Sequence, residues 1–156
     1  MKIGFIGLGN MGKPMALNLL KDRHEVIGFD TVSANLDGIS MATSAAEAAI
    51  GVDCVITMLP NGVILQSVAD QVLNNMTKGA MLLDCSTVDV ESARHVAKLA
   101  EAKGIIPIDA PVSGGIGGAS AGTLTFMVGG SEEGFTKAKA LFEVMGQKAV
   151  HCGPSG

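Results

Sequence analysis

The residues with the clearest chemical use stand near the start of the chain, in Gly7-Leu8-Gly9-Asn10-Met11-Gly12. An apolar run, Lys2-Ile3-Gly4-Phe5-Ile6, precedes them, and a helix-like run to Asp22 follows. A second apolar run from His24 to Phe29 then ends on Asp30. Each residue type has a use in seating a dinucleotide. Gly7 permits a tight turn off a strand, Gly9 lets a pyrophosphate reach the backbone, and Gly12 lets the helix lie close to the strand. The unpaired amides of a helix start favour a phosphate anion. A carboxylate at the end of the second strand, Asp30, accepts hydrogen bonds from ribose hydroxyls and repels a 2′-phosphate, which selects NAD over NADP. With 21 glycines in the chain, the glycine spacing alone is weak; the strand, helix and acid around it supply the specificity. The competing reading is a tight βα turn with an acid that merely ends a strand.

Further along, Met58-Leu59-Pro60-Asn61 closes an apolar run. It is either a wall of a ligand site at the carboxyl end of a parallel strand or an ordinary βα turn. Ser86 and Thr87 follow Asp84-Cys85 and offer two hydroxyls at another strand end, as ligand contacts or as helix caps. Ala110-Pro111-Val112-Ser113-Gly114-Gly115-Ile116-Gly117-Gly118 reads as a long irregular loop, a linker or a backbone cradle for a small anion or carbonyl. A nicotinamide reaction also needs a proton acceptor. His24, His95 and His151 fall at a strand start, on the polar side of a helix and near the chain end, and no lysine stands in a loop beside the pocket. Cys54, Cys85 and Cys152 form no metal-ligand spacing, so no metal is expected.

These groups need a scaffold, and the apolar periodicity supplies one. Met11, Met15 and Leu19 predict a helix from Asn10 to Asp22, with Pro14 in its first turn. A short strand is expected at Ile39-Ser40-Met41. Ser44 or Thr43 then caps an Ala-rich helix through Ile50, with Glu47 completing a Ser44 capping box. Val52 to Leu59 reads as a strand buried on both faces. A helix over 63–76, a strand from Gly79 to Asp84, a helix over 89–103 and a strand from Ile105 to Asp109 follow. Thr123 to Val128 is a further strand, Ser131 caps a last helix, and Lys148 to Cys152 is a final short strand. Strands alternating with helices argue for an α/β fold with a doubly wound, mostly parallel sheet, read as one domain over residues 1–156.

Composition narrows the class of function. The net charge is −4 and no basic run occurs, which argues against nucleic acid or an anionic membrane as the partner. No apolar stretch is long enough for a bilayer-spanning helix. The first strand starts at residue 2, leaving no room for a targeting peptide, and three scattered cysteines suit a reducing compartment. The expectation is a cytoplasmic protein, or a matrix protein after removal of a transit peptide.

The opening Gly4–Ala16 segment resembles the signature of the β-hydroxyacid dehydrogenases. Thr57-Met58-Leu59-Pro60, Asp84-Cys85-Ser86-Thr87-Val88, Asp109–Gly115 and Gly122–Gly130 are similar to that family's later blocks, in register over essentially the whole chain. The resemblance implies a Rossmann-type fold with NAD as cofactor and a small 3-hydroxy acid as substrate. It places Gly7 to Gly12 and Asp30 on the adenosine and pyrophosphate, Leu59 and Pro60 on the cofactor, and Thr87 at the nicotinamide end. Ser113, Gly114 and Gly115 would hold the substrate carboxylate or hydroxyl. The family's catalytic lysine belongs to an all-helical second domain that follows a segment resembling His151–Gly156. No residue of this chain is therefore expected to be catalytic, and the full-length protein is expected to be a homo-oligomer. Val90 stands where the family has proline and Ile64 where a polar residue is frequent. A non-catalytic dinucleotide-binding or redox-sensing module is the alternative from another class.

Overall fold

In the computed structural model, which describes residues 1–32 and 35–156, nine strands form one sheet with helices on both faces. Ser33 and Ala34, part of the polar stretch at 31–38, lie outside the described residues. Strands β1 (Lys2–Ile6), β2 (Glu25–Phe29), β3 (Ser40–Met41), β4 (Cys54–Thr57), β5 (Met81–Asp84) and β6 (Ile106–Asp109) run parallel in the order β3-β2-β1-β4-β5-β6. Strand β8 (Leu124–Gly130) pairs antiparallel with β6 and with the short β7 (Val112–Ser113). The final strand, β9 (Gly146–Gly153), runs parallel to β8.

The helices divide the core in two. On one face, Met15, Ala16 and Leu19 of α1 (Gly12–Lys21), Ala119 of α5 (Gly115–Ala121) and Ala138, Leu141, Phe142 and Met145 of α6 (Glu132–Met145) pack against Ile3, Phe5, Ile56 and Leu83. On the other, Ala45 and Ala48 of α2 (Ala45–Ala48), Leu65 and Val72 of α3 (Gly62–Val72) and Val96 and Ala100 of α4 (Val90–Ala102) pack against Ile6, Val55 and Leu82. Strand side chains alternate between the two cores, so parallel strands buried on both faces read as continuous apolar runs.

The helix starts follow their cap chemistry. Ser44 accepts the Glu47 N–H at 3.1 Å, while the Glu47 carboxylate accepts from Thr43 N–H and Oγ1, both at 2.6 Å. The box thus closes one residue earlier than a Ser44 box would. Asn61 caps α3, Asp89 caps α4 and Ser131 caps α6. Neither Ser86 nor Thr87 is a cap, because α4 begins only after Asp89.

One expectation is corrected. The stretch read as an irregular loop at Ala110–Gly118 contains β7 and the start of α5. Glycine-rich α5 holds its shape through tertiary contacts: Ala119 is fully buried, and Asn18 of α1 donates its side-chain N–H to the Ala119 carbonyl at 2.8 Å. The last strand is also longer than expected, because α6 runs into β9 with no intervening loop.

Candidate functional site

The parallel strands end on one row. Phe29, Ile6, Thr57, Asp84 and Asp109 are mutual register partners across β2, β1, β4, β5 and β6. The residues just past that row are the ones singled out from sequence: Asp30, then Gly7–Gly12, then Leu59 and Pro60, then Thr87, then Ser113–Gly115. The strand order therefore lays them side by side along the carboxyl edge of the sheet. The order in which successive strands are added reverses at β1, between β2 and β4, and the carboxyl ends beside such a switch point are where open α/β sheets bind ligands.

The glycine loop is built by backbone collisions that only glycine avoids. Gly7 has φ +94° and its N–H donates to the Phe29 carbonyl at 3.0 Å. A Cβ on Gly12 would collide with the Gly7 carbonyl oxygen, so α1 sits directly on the turn. At Gly9 a Cβ would meet nothing within 4 Å: the residue faces open space. Met11 stands at the N-cap of α1 without a side-chain cap, and the amides of Gly9, Asn10, Met11 and Gly12 have no acceptor among the described residues. Free amides converging on an open, side-chain-free surface fit a diphosphate.

Asp30 has a second duty beyond the one expected from sequence. Its Oδ2 accepts the Leu8 N–H at 2.6 Å and its Oδ1 accepts the Val32 N–H at 2.9 Å. The carboxylate thus ties the glycine loop to the end of β2. Each oxygen keeps acceptor capacity for a ribose hydroxyl.

Leu59 is half-buried and Pro60 exposed on the loop between β4 and α3. Leu59 Cδ2 lies 3.2 Å from the point where a Gly7 Cβ would stand, so this loop abuts the glycine turn. Thr87 is exposed past β5. Ser113, exposed, pairs with Thr125 at the end of β7, and Gly114 (φ +135°) and Gly115 (φ +62°) turn the chain into α5. All of these face solvent at the same edge of the sheet.

Ser86, weighed as a ligand contact or cap, is neither. It is buried and bonded within the protein: its N–H and Oγ donate to Asp84 Oδ1 at 3.1 and 2.6 Å, and its Oγ accepts the Leu59 N–H at 2.8 Å. Thr57 Oγ1 donates to the same Asp84 oxygen at 2.7 Å. Burial pushes the Asp84 carboxyl up to about 6, against the hydrogen bonds from Ser86 and Thr57 that lower it, with the Asp109 charge adding to the rise. Sequence reasoning passed over Asp84; the available signal was an acid closing an otherwise apolar strand.

The histidines lie elsewhere. His24 Nδ1 is 3.1 Å from the chain's amino terminus, at the opposite end of the sheet. His95 is exposed on α4, and His151 bonds the Gly130 carbonyl at 2.8 Å and stacks on Phe135 at 5.0 Å. Among the described residues no group of His, Cys, Asp or Glu has metal-binding geometry, and no helix is long and apolar enough to cross a membrane.

Residues 2–153 match the family described as "NAD binding domain of 6-phosphogluconate dehydrogenase". The chain belongs to that family. Its cofactor is accordingly NAD, and the residues that fit the diphosphate and ribose are those of the β1–α1 turn and Asp30. A probable 3-hydroxyisobutyrate dehydrogenase of Dictyostelium discoideum is 46% identical over 162 residues, covering 99% of this chain and 50% of its own length. An NAD-dependent L-serine dehydrogenase of Pseudomonas aeruginosa is 47% identical over 165 residues, covering 99% of this chain and 55% of its own. The solved structure of a Mycobacterium tuberculosis 3-hydroxyisobutyrate dehydrogenase with L-serine superimposes with a TM-score of 0.95 at 43% identity, over 99% of this chain and 55% of that one. The chain thus spans about half the length of the curated relatives it matches.

Proposed function

We propose that this chain is the cofactor-binding half of an NAD-dependent 3-hydroxyacid dehydrogenase, oxidising 3-hydroxyisobutyrate to methylmalonate semialdehyde in valine breakdown. The observation that carries the reading is the ordered carboxyl edge: sugar-binding acid, diphosphate turn, apolar wall, hydroxyl and glycine cradle, in that sequence across five adjacent strands. Gly9–Gly12 bind the diphosphate through backbone N–H groups, and Asp30 accepts from the ribose. Leu59 and Pro60 exclude water from one side. Thr87 faces the nicotinamide end, and Ser113–Gly115 orient the acid's carboxylate or hydroxyl. The dinucleotide, when bound, supplies the acceptor for the hydride that leaves the hydroxyl-bearing carbon. The hydroxyl proton needs a base, and no described histidine stands at this edge. The resemblance to β-hydroxyacid dehydrogenases supplies one: a lysine on an all-helical domain beyond Gly156.

A second substrate is favoured by a specific observation. L-serine, itself a 3-hydroxy acid, is named with two of the similar proteins. It fits the same cradle and the same chemistry.

The test is direct. The chain has no Trp or Tyr, so NADH fluorescence is read without protein background. The chain should bind NADH in preference to NADPH and should not turn over 3-hydroxyisobutyrate or L-serine alone. Adding the carboxyl-terminal half of a relative should restore oxidation, and the faster substrate decides between the two acids. Tighter binding of NADPH, or turnover by the chain alone, overturns the reading.

A further inference from the structure

Asp84 is a buried acid at the carboxyl end of β5 that the proposed chemistry does not use. It is 4% exposed, and its Oδ2 has no hydrogen-bond partner among the described residues. An unpartnered carboxylate oxygen in a protein interior is costly and calls for a reason. Asp84 and Asp109 line a cavity of only about 10 Å³, between β5, β6 and α4. That volume is at the lower limit for one water molecule and excludes any larger ligand, so Asp84 does not act by touching substrate.

Its other oxygen, by contrast, is fully engaged, and the bonds lead to the cofactor wall. Oδ1 takes the hydroxyl of Thr57, the hydroxyl of Ser86 and the amide of Ser86. A serine hydroxyl has one proton. Because Ser86 gives it to Asp84, its lone pairs are left for the Leu59 N–H at 2.8 Å. Leu59 in turn abuts Gly7, and the Met58 carbonyl stands where a Gly7 Cβ would be. A continuous path therefore runs from Asp84 through Ser86 and Leu59 to the diphosphate turn.

We propose that Asp84 is a positioning residue whose carboxylate, acting through Ser86, holds the Leu59 loop against the glycine turn and thereby sets dinucleotide affinity. This inference rests on the dinucleotide reading of the site. A charged acceptor holds the two hydroxyls about twice as strongly as a neutral one. The loop is therefore firm when Asp84 is ionised and looser when it is protonated. The groups around it are few. Asp109 on β6 is the charged neighbour, and Thr57 faces it from β4. On α4 the charged side chains Asp89, Glu91, Arg94, Lys98 and Glu101, with His95, are exposed to solvent, as is Asp70 on α3.

The experiment is calorimetric titration of NAD+, stable in acid, into the wild-type chain, Asp84→Asn and Ser86→Ala between pH 5 and pH 8, with thermal melts of each. Asparagine stands in for the protonated acid at every pH. Asp84→Asn should bind about five- to tenfold more weakly than wild type at pH 8, corresponding to charge-assisted bonds weakened to neutral ones. The wild-type curve should fall toward the Asp84→Asn curve as pH drops through about 6. Ser86→Ala should weaken binding similarly and flatten the pH profile, and adding Asp84→Asn to it should change little, because the path is serial. Melting temperature should not fall in parallel with affinity in Asp84→Asn, which separates positioning from a general loss of structure. Equal affinities for wild type and Asp84→Asn at pH 8, or parallel pH profiles, overturn the inference. If Asp84→Asn does not fold, Ser86→Ala decides: unchanged affinity overturns the inference. A wild-type chain that binds NAD+ at no pH overturns the dinucleotide reading itself, and this inference with it.

Discussion

The three glycines of the β1–α1 turn should separate on substitution by alanine, because the structure assigns them different neighbours. At Gly9 a Cβ meets nothing within 4 Å and the backbone φ is not positive. Gly9→Ala should therefore leave the fold intact, or stabilise it by about 0.4–1 kcal/mol through the stiffer unfolded chain. The same methyl would occupy the space a diphosphate needs and hold it off the Gly9–Gly12 amides. Losing one or two charge-assisted hydrogen bonds costs about 1.5–3 kcal/mol, roughly 10- to 150-fold in Kd. At Gly12 the added methyl collides with the Gly7 carbonyl oxygen and stands 2.9 Å from the Gly7 carbonyl carbon and 3.1 Å from the Phe5 ring. Backbone and a buried ring cannot both yield, so Gly12→Ala should destabilise by about 1–3 kcal/mol or more, a large share of the 5–15 kcal/mol typical of a domain. Urea unfolding followed by circular dichroism gives the stabilities, and NADH fluorescence the affinities. Gly9→Ala with wild-type NADH affinity would refute the claim that the diphosphate lies on bare backbone. Gly12→Ala with wild-type stability would refute the packing argument.

Asp30→Ala should weaken NADH and narrow or reverse the NADH-over-NADPH preference, since it removes both the acceptor and the repulsion; titration of both nucleotides checks it, and an unchanged ratio sinks the selectivity argument. It should also loosen the glycine loop, because the Leu8 N–H loses its 2.6 Å partner. Asp84 should leave a signature in stability as well as in binding. Burial raises its folded-state pKa to about 6 from the ordinary 3.8, so the folded chain holds the proton more tightly. Its contribution is then present below about pH 4, is lost as pH rises through about 6, and amounts to about 3 kcal/mol. The stability of Asp84→Asn relative to wild type should rise by an amount of that order between pH 4 and pH 7, and a difference that is flat with pH contradicts the assignment. Phe126→Ala removes a fully buried ring that lies 4.8 Å from Phe142, and should cost about 3–5 kcal/mol in urea unfolding.

The parts legible in the sequence were those where one residue type is physically obligatory. Gly7 and Gly12 are forced by a positive φ and by backbone contact, and their spacing announced the turn. Double-sided burial made β4 and β5 read as unbroken apolar runs. Helix α5 was illegible because glycine opposes helix by about 1 kcal/mol per residue, and what outweighs that is remote in sequence: the buried Ala119 and the bond from Asn18. The caps at Asn61 and Asp89 were missed because nearby Pro60, Ser86 and Thr87 offered rival punctuation, and only the true helix start distinguishes them. The role of Ser86 was hidden for a related reason. A hydroxyl near a strand end looks the same whether it faces a ligand or, as here, an acid on the preceding strand and the amide of a neighbouring loop.

The site divides binding from chemistry. Almost everything at the carboxyl edge placed to meet a dinucleotide is backbone or the Asp30 carboxylate, whose two oxygens already take the Leu8 and Val32 amides, so these groups are suited to holding and orienting. None of the three histidines stands at this edge, and His95 lies exposed on α4. His24 is at the amino ends of the strands, and His151 is held by Gly130 and Phe135 on the far side of β8. A surface made of backbone cannot be adjusted by changing its own side chains, so its geometry must be set from behind, and the Asp84–Ser86–Leu59 path is the arrangement that does so. Affinity for the dinucleotide should therefore survive in this chain and respond to groups that never touch it, while turnover waits on a base brought to the exposed Ser113–Gly115 cradle from outside these residues.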